Sequence, residues 1–518
     1  MKKTLLCSLF FGALAAQAET VFNRGNEAEP STLDPQLAQG TAEMNILRDM
    51  YVGLVDEDAG ARLIPGVAEK WDVSDDGKTY TFHLRDDKWS DGTPLTAHDF
   101  VYAWQRGVDP AVGSKYSFFL YPVKNAKDIA EGKTEVATLG VKALDDKTLQ
   151  VELNNPTPYF LGMLVNAITY PVPKHIVEKQ GKDWSKHPVG NGAFKLDKWN
   201  PQSNVTLSKS DTYYNADTVK LDKVVYHIVE DRNAELARYR AGELDFTTEI
   251  PVDQIKWIMD NLKDEYHVDN YLGTQYYGFN LTKEPYKSNA KLREALSLAI
   301  DRDILTKNIL STGEKPAYGY VVPGIANYTP YLPDYANISQ KERVERAQAA
   351  YAEAGYSKDK PFKTEILYST NDTNKKVAIA IAAMWKEALG VEATLVNKEW
   401  KAYLADRREY KTNIFRASWL GDYDDANTFL EMFQTGGGSN TIGLADPDYD
   451  KLLADAAAEQ DMEKRAAILQ SAEKRLIDNF SLIPLNFFVS KHLIKPYVKG
   501  YESNVMNHYQ SKYIRIEK

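Results

Sequence analysis

Trp71-Asp72-Val73-Ser74-Asp75-Asp76-Gly77-Lys78-Thr79-Tyr80-Thr81-Phe82-His83-Leu84-Arg85 carries two short runs of alternating character on either side of Asp76-Gly77. Trp71 and Val73 precede the turn, and Tyr80, Phe82 and Leu84 alternate with Thr81, His83 and Arg85 after it. That is the pattern of a hairpin with one buried face. Downstream, Thr96 to Asp99 has the form of a capping box, and Phe100, Val101, Trp104 and Val108 follow at helical spacing. The same grammar continues. Leu292, Ala295, Leu296, Ala299 and Ile300 share one helical face, and Ser339 with Glu342 opens a helix that stops near Gly355. Asp372 to Leu389 forms a third helix, ends at Gly390 and passes directly into the apolar run Val391 to Val396. Asp448 to Glu459 and Asp461 to Ile477 add two amphipathic helices. Strands and helices interleave along the whole length without a repeat or a long flexible linker, which predicts α/β lobes joined by short crossing strands.

The N-terminus places this chain outside the cytoplasm. Lys2 and Lys3, the apolar run Leu5 to Ala16 and the small-x-small Ala16-Gln17-Ala18 together form a secretory signal, with cleavage expected after about Ala18. The run is shorter than the roughly 20 residues a spanning helix needs. The only cysteine, Cys7, sits inside it after Leu6 rather than after a small residue, so lipid attachment is not expected. The mature chain has no cysteine, and its stability must come from packing rather than disulfides. With 518 residues, several lobes are expected. Lys and Arg number 63 against 73 Asp and Glu, and loss of Lys2 and Lys3 makes the mature chain more acidic still. A strongly acidic chain is a poor partner for nucleic acid or anionic membrane.

Catalytic motifs are missing. The eight histidines include no pair at the i, i+4 spacing that would set two imidazoles on one metal. No nucleophile elbow, Walker loop or dinucleotide fingerprint is present. Gly436-Gly437-Gly438-Ser439-Asn440 lacks the Lys-Ser/Thr of a phosphate loop and reads as a flexible connection. Adjacent acids such as Asp424 and Asp425 do not separate the roles of acid and base. No catalytic residue, metal site or cofactor is expected, and an exported, acidic, multi-lobed chain of this kind fits a solute receptor better than an enzyme.

Three stretches give that expectation a family. Residues 63 to 104, with the hairpin above and Asp91-Gly92-Thr93-Pro94-Leu95-Thr96, resemble the signature of the peptide-binding branch of the bacterial extracellular solute-binding proteins. Arg416-Ala417-Ser418-Trp419-Leu420-Gly421-Asp422-Tyr423 looks like the ligand segment of the periplasmic oligopeptide-binding members, and Asn397-Lys398-Glu399-Trp400-Lys401 resembles the stretch just upstream of it. The resemblance runs from about Asn23 to Lys518. It implies an α/β fold of the periplasmic binding protein type II kind, with two lobes joined by a hinge and an extra packed domain. Expected boundaries are 1–18 for the signal peptide, 19–51 with 175–273 and 490–518 for lobe I, 52–174 for the extra domain, and 274–489 for lobe III. It further implies a monomer in the periplasm that captures short, tripeptide-sized peptides between two lobes and hands them to an inner-membrane ABC permease, without inserting into the membrane.

The resemblance also assigns roles. Asp422 is the expected partner of the peptide α-ammonium, with Gly421 and Leu420 beside it, and Gln39 and Thr41 belong to the same ligand-binding set. Trp400 and Trp419 are expected as walls of side-chain pockets, Tyr116 as a contact from the second lobe, and Arg416 and Arg407 as receivers of a carboxylate. Several positions depart from the pattern. Gly273 and Leu420 stand where many members carry a cysteine pair, Leu310 and Asn374 where broad-range members carry a lysine and a histidine, and Phe488 where a tyrosine is expected. Leu420-Gly421-Asp422 before Tyr423 also resembles the murein-tripeptide-binding subgroup. Cell-wall peptide and a non-peptide solute therefore stand as alternative ligands, and a secreted hydrolase or a chaperone-like protein as alternatives of another class.

Overall fold

The computed structural model describes residues 19–518, and the signal read over residues 1–18 lies outside the described residues. Three sheets organise the chain. The first orders its strands Val21–Asn26, Lys223–Ile228, Asn204–Lys209, Phe194–Asn200, the first pair parallel and the rest antiparallel. Alternate residues of its middle strands, Val205, Leu207, Val224 and Tyr226, point into the core.

The second sheet is antiparallel and runs Ala68–Val73, Thr79–Leu84, Thr148–Glu152, Val141–Asp145. The hairpin forms as expected, closed by backbone hydrogen bonding between Ser74 and Thr79, with Gly77 at φ +67°. Asp76 Oδ1 holds the loop by accepting from the Ser74 hydroxyl and the Lys78 N–H. Its buried face comes from one strand only. Tyr80, Phe82 and Leu84 are buried, whereas Trp71 is half-buried and Val73 is 40% exposed, because Ala68–Val73 is the edge strand of this sheet. The helix Ala97–Val108 carries the capping box Thr96–Asp99 and buries Phe100, Trp104 and Val108, with Trp104 Nε1 donating to the Thr169 carbonyl at 2.8 Å.

The third sheet has six strands in the order Lys315–Pro316, Leu482–Leu493, Tyr266–Phe279, Ile414–Leu420, Lys363–Ser369, Glu392–Lys398. Asp372–Leu389 is the crossover helix between the parallel strands Lys363–Ser369 and Glu392–Lys398, and Gly390 ends it at φ +80°. Helices Ala290–Leu298, Gln340–Glu353, Pro447–Ala458 and Met462–Asp478 fall where the periodicity puts them.

The crossings between sheets are not short strands. Tyr266–Phe279 and Leu482–Leu493 are 14 and 12 residues long and pair over most of their length. Their register slips twice in the middle: between Asn270 and Thr274, where Tyr271, Leu272 and Gly273 together face Phe488, and again between Gln275 and Tyr276, where Leu485 is the extra residue. On the Tyr266 side the pair borders the segment around Phe246, which bridges to both Arg24 and Ile494. Burial separates along the same line. One continuous core joins the first two sheets, and a second surrounds the six-stranded sheet. Tyr423 is the exception, a residue next to the six-stranded sheet whose ring packs in the first core and stacks on Tyr159 at 4.9 Å.

Candidate ligand-binding cleft

Three cavities line up where the register slips, and they share walls. The first, of about 200 Å³, is lined by Gln39, Thr41, Arg48, Tyr116, Tyr271, Gly421, Asp422, Asn507 and His508 among others. The second, about 370 Å³, shares Thr41, Tyr271 and Asn507 with it and adds Glu27, Leu420 and Phe488. The third, about 580 Å³, shares Glu314, Phe488 and Lys491 with the second and adds Leu310, Asn374, Lys376, Trp400 and Arg416. Together they form one groove between the first and third sheets.

Asp422 follows the end of the strand Ile414–Leu420. Gly421 sets its position by a close approach: the Gly421 N–H donates to the Leu272 carbonyl at 2.8 Å, and a Cβ there would lie 2.6 Å from Leu272 Cδ2. The Asp422 N–H donates to Thr428 Oγ1 at 3.1 Å. The carboxylate keeps a water-facing edge, yet the cleft walls around it push its pKa up to about 6, with no cation contributing. Across the cavity, Tyr116 donates its hydroxyl to the Gln39 carbonyl at 3.2 Å. Arg48 is already engaged. Its Nη2 reaches His508 Nε2 at 2.5 Å, and His508 Nδ1 reaches Glu57 Oε2 at 2.8 Å. Burial and the Arg48 charge hold His508 below its ordinary pKa, so the neutral ring donates to Glu57 from Nδ1 and accepts from Arg48 at Nε2. Among the described residues, Asp422 is thus an acid without a counter-ion in a cavity whose one arginine, Arg48, is engaged.

The far cavity has the opposite imbalance. Arg416 lies in a middle strand of the sheet, where desolvation lowers its pKa. Its Nη2 donates to Gln275 Oε1 at 3.3 Å, its Nε has no acceptor, and the groups acting on its charge are Tyr403, Tyr277, Tyr276 and Arg407, with no carboxylate among them. Tyr403 donates its hydroxyl to the Arg416 carbonyl and so fixes the backbone beneath the guanidinium. A desolvated cation without an anion is unfavourable until one arrives. The groove therefore carries an unmatched negative group at one end and an unmatched positive group at the other.

The sequence profile of the bacterial extracellular solute-binding proteins, family 5 Middle, matches residues 62–441. The chain belongs to this family. Solute-binding proteins of family 5 are receptors rather than enzymes. The family 5 chain is 39% identical to the periplasmic oligopeptide-binding protein OppA of Escherichia coli (strain K12) over 496 residues, 95% of this chain and 91% of that one. It superposes with a TM-score of 0.92 on the unliganded open form of the periplasmic murein tripeptide binding protein MppA, at 36% identity, covering 96% of this chain and 98% of that one. On Haemophilus influenzae OppA in complex with the peptide RPPGFSPFR the TM-score is 0.73 at 38% identity, with 97% and 100% covered. Identity is nearly equal in the two superpositions, and the TM-score is the higher on the unliganded open form. No described helix is long and apolar enough to cross a membrane.

Most of the residues expected at the site of this family 5 protein line the groove: Gln39, Thr41, Tyr116, Gly421 and Asp422 at the first cavity, Leu420 and Phe488 in the middle, and Asn374, Trp400 and Arg416 at the far end. Two do not. Arg407 is turned into the lobe, where Nη2 donates to Thr441 Oγ1 at 2.9 Å and the guanidinium lies over the rings of Phe415 and Tyr403. The helix Trp400–Arg408 directs it there on the same face as the fully buried Tyr403. Trp419 is half-buried against the second core, off the walls of all three cavities. Trp400, by contrast, is 53% exposed and stacks on Tyr403 at 5.5 Å. Gly273 and Leu420 face each other directly across paired strands, and Leu420 Cδ2 occupies space that a Cβ on Gly273 would need.

Leu310 and Asn374 share the far wall with two lysines, Lys376 and Lys491. Lys491 is committed to Glu314 at 3.1 Å. These lysines, with Arg48, Tyr271 and His508, lie outside the motif stretches and meet only through the fold.

Proposed function

We propose that this protein is the periplasmic receptor of an ABC importer for short peptides, closing its lobes on one ligand at a time. The observation that carries the reading is the unmatched Asp422 carboxylate and the unmatched Arg416 guanidinium at opposite ends of one groove. An extended peptide offers an ammonium and a carboxylate that complement them, and charge-assisted hydrogen bonds in a closing site give affinity without reading side chains. The likeness to OppA supports the ligand class. Gln39, Thr41 and Tyr116 form the facing wall, and Leu420, Phe488, Trp400 and Asn374 border the side-chain space.

Lobe I takes 19–51, 175–273 and 490–518, the extra domain 52–174, and lobe III 274–489, a division supported by the membership of the three sheets and the two main cores. The signal is removed after about Ala18, and the mature protein works as a monomer with an inner-membrane permease. A second reading, cell-wall tripeptide, is favoured by Leu420-Gly421-Asp422 and by the superposition on MppA. Mass spectrometry of ligand released from the purified protein tests both readings. Mixed short peptides are expected, a single cell-wall peptide selects the second reading, and a non-peptide solute overturns both.

A further inference from the structure

The far cavity holds more positive charge than one peptide carboxylate requires. Its wall carries three cations, Arg416, Lys376 and Lys491, and a single acid, Glu314. Glu314 is spent, since Lys491 Nζ lies 3.1 Å from its Oε1 and both side chains are nearly buried. Arg416 faces Gln275 and tyrosines rather than an acid. Lys376 stands on the second turn of the helix Asp372–Leu389, exposed, on the same wall as Leu310 and Asn374. The remaining lining is neutral. Asn374 is held by donating Nδ2 to Ser369 Oγ at 3.1 Å, and Ile309 and Leu310 supply an apolar side. One α-carboxylate on Arg416 leaves the lysine facing a cavity of about 580 Å³ whose one lining acid, Glu314, is already paired with Lys491.

Resting on the reading of Arg416 as the receiver of the peptide carboxylate, we propose that Lys376 is a specificity-determining residue that selects ligands carrying a second carboxylate on their C-terminal residue. The α-carboxylate meets Arg416, and the side-chain carboxylate extends between the Leu310 and Asn374 walls to the ammonium of Lys376. Closure of the lobes removes water from this contact, so it strengthens in the bound state.

Calorimetric titration of Ala-Ala-Ala, Ala-Ala-Gln, Ala-Ala-Glu and pentaalanine against the parent protein and Lys376→Gln tests this. Lys376 is exposed, so the variant keeps the fold. The parent is expected to bind Ala-Ala-Glu about tenfold more tightly than Ala-Ala-Gln, the size of one charge-assisted hydrogen bond. In Lys376→Gln that preference should vanish while Ala-Ala-Ala is unchanged. An unchanged preference in the variant overturns the proposal. So does a loss confined to pentaalanine, which makes Lys376 a receiver for longer chains instead. If the parent binds none of the four peptides, the peptide reading itself fails and this inference falls with it.

Discussion

Asp422 is the residue on which affinity and stability pull in opposite directions. Its carboxyl is raised to about 6 by the cleft walls, whereas in the unfolded chain it returns toward 3.8. A carboxyl raised on folding binds its proton more tightly in the folded state, so its contribution to stability is lost as pH rises from about 4 to about 6. Asp422→Asn should therefore leave the ligand-free protein at neutral pH slightly more heat-resistant than the parent. Binding moves the other way. Removing one partner of a buried charge pair costs about 3–5 kcal/mol, so the same variant should lose at least a hundredfold in affinity for trialanine. In the parent, affinity should fall as pH drops through 6, because a protonated Asp422 no longer attracts an ammonium. Calorimetry between pH 5 and 8 and thermal melts of both proteins check all three statements, and N-acetylated trialanine should bind the two equally weakly.

At the scale of the element, the sequence carried local signals well and distant ones poorly. The capping boxes at Thr96 and Ser339 and the stop at Gly390 placed three helices, because caps and periodicity are written in neighbouring residues. The edge position of Ala68–Val73 was not legible, since it depends on which strands from residues 141–152 pair alongside. The groove splits in the same way. Asp422 and Arg416 sit in one recognisable stretch, whereas Arg48, Tyr271, Lys376 and His508 come from four separate segments. The turning of Arg407 into the lobe follows from how its helix packs, which no motif encodes. Gly421 joins the two levels, since an ordinary glycine in the sequence becomes the point where the strand end passes Leu272. A Cβ there would lie 2.6 Å from Leu272 Cδ2 and 2.9 Å from Thr428 Cγ2. Overpacking of this kind costs about 1–3 kcal/mol, and the displaced residue is the neighbour of Asp422. Gly421→Ala should weaken trialanine binding roughly tenfold by calorimetry and lower the melting temperature, while Gly438→Ala, with open space around its Cβ, should do neither.

The whole molecule behaves as two cores joined by the paired strands Tyr266–Phe279 and Leu482–Leu493. Between Asn270 and Thr274 their ladder slips, and three residues face one, which weakens the pairing where the sheet passes from one core to the other. Tyr271, Leu272 and Phe488 at that slip also line the groove, so rotation there changes the distance between the groove walls. Segments around the second sheet add a second contact across the gap, with Tyr159 stacked on Tyr423 at 4.9 Å and Gln460 Nε2 donating to the Asp75 carbonyl at 2.8 Å. A peptide that bridges Asp422 and Arg416 to Gln39, Thr41 and Tyr116 gains contacts only when the lobes approach, so it stabilises the closed arrangement by the difference in those contacts. Saturating trialanine should reduce the radius of gyration measured by X-ray scattering. Because the ligand binds only the folded chain, it should also add about 2.7 kcal/mol of stability at a hundred times its dissociation constant. Asp422→Asn at the same peptide concentration should show neither change. A melting shift in the parent without compaction would mean that the peptide binds one lobe alone and that the slip in the paired strands is not a hinge.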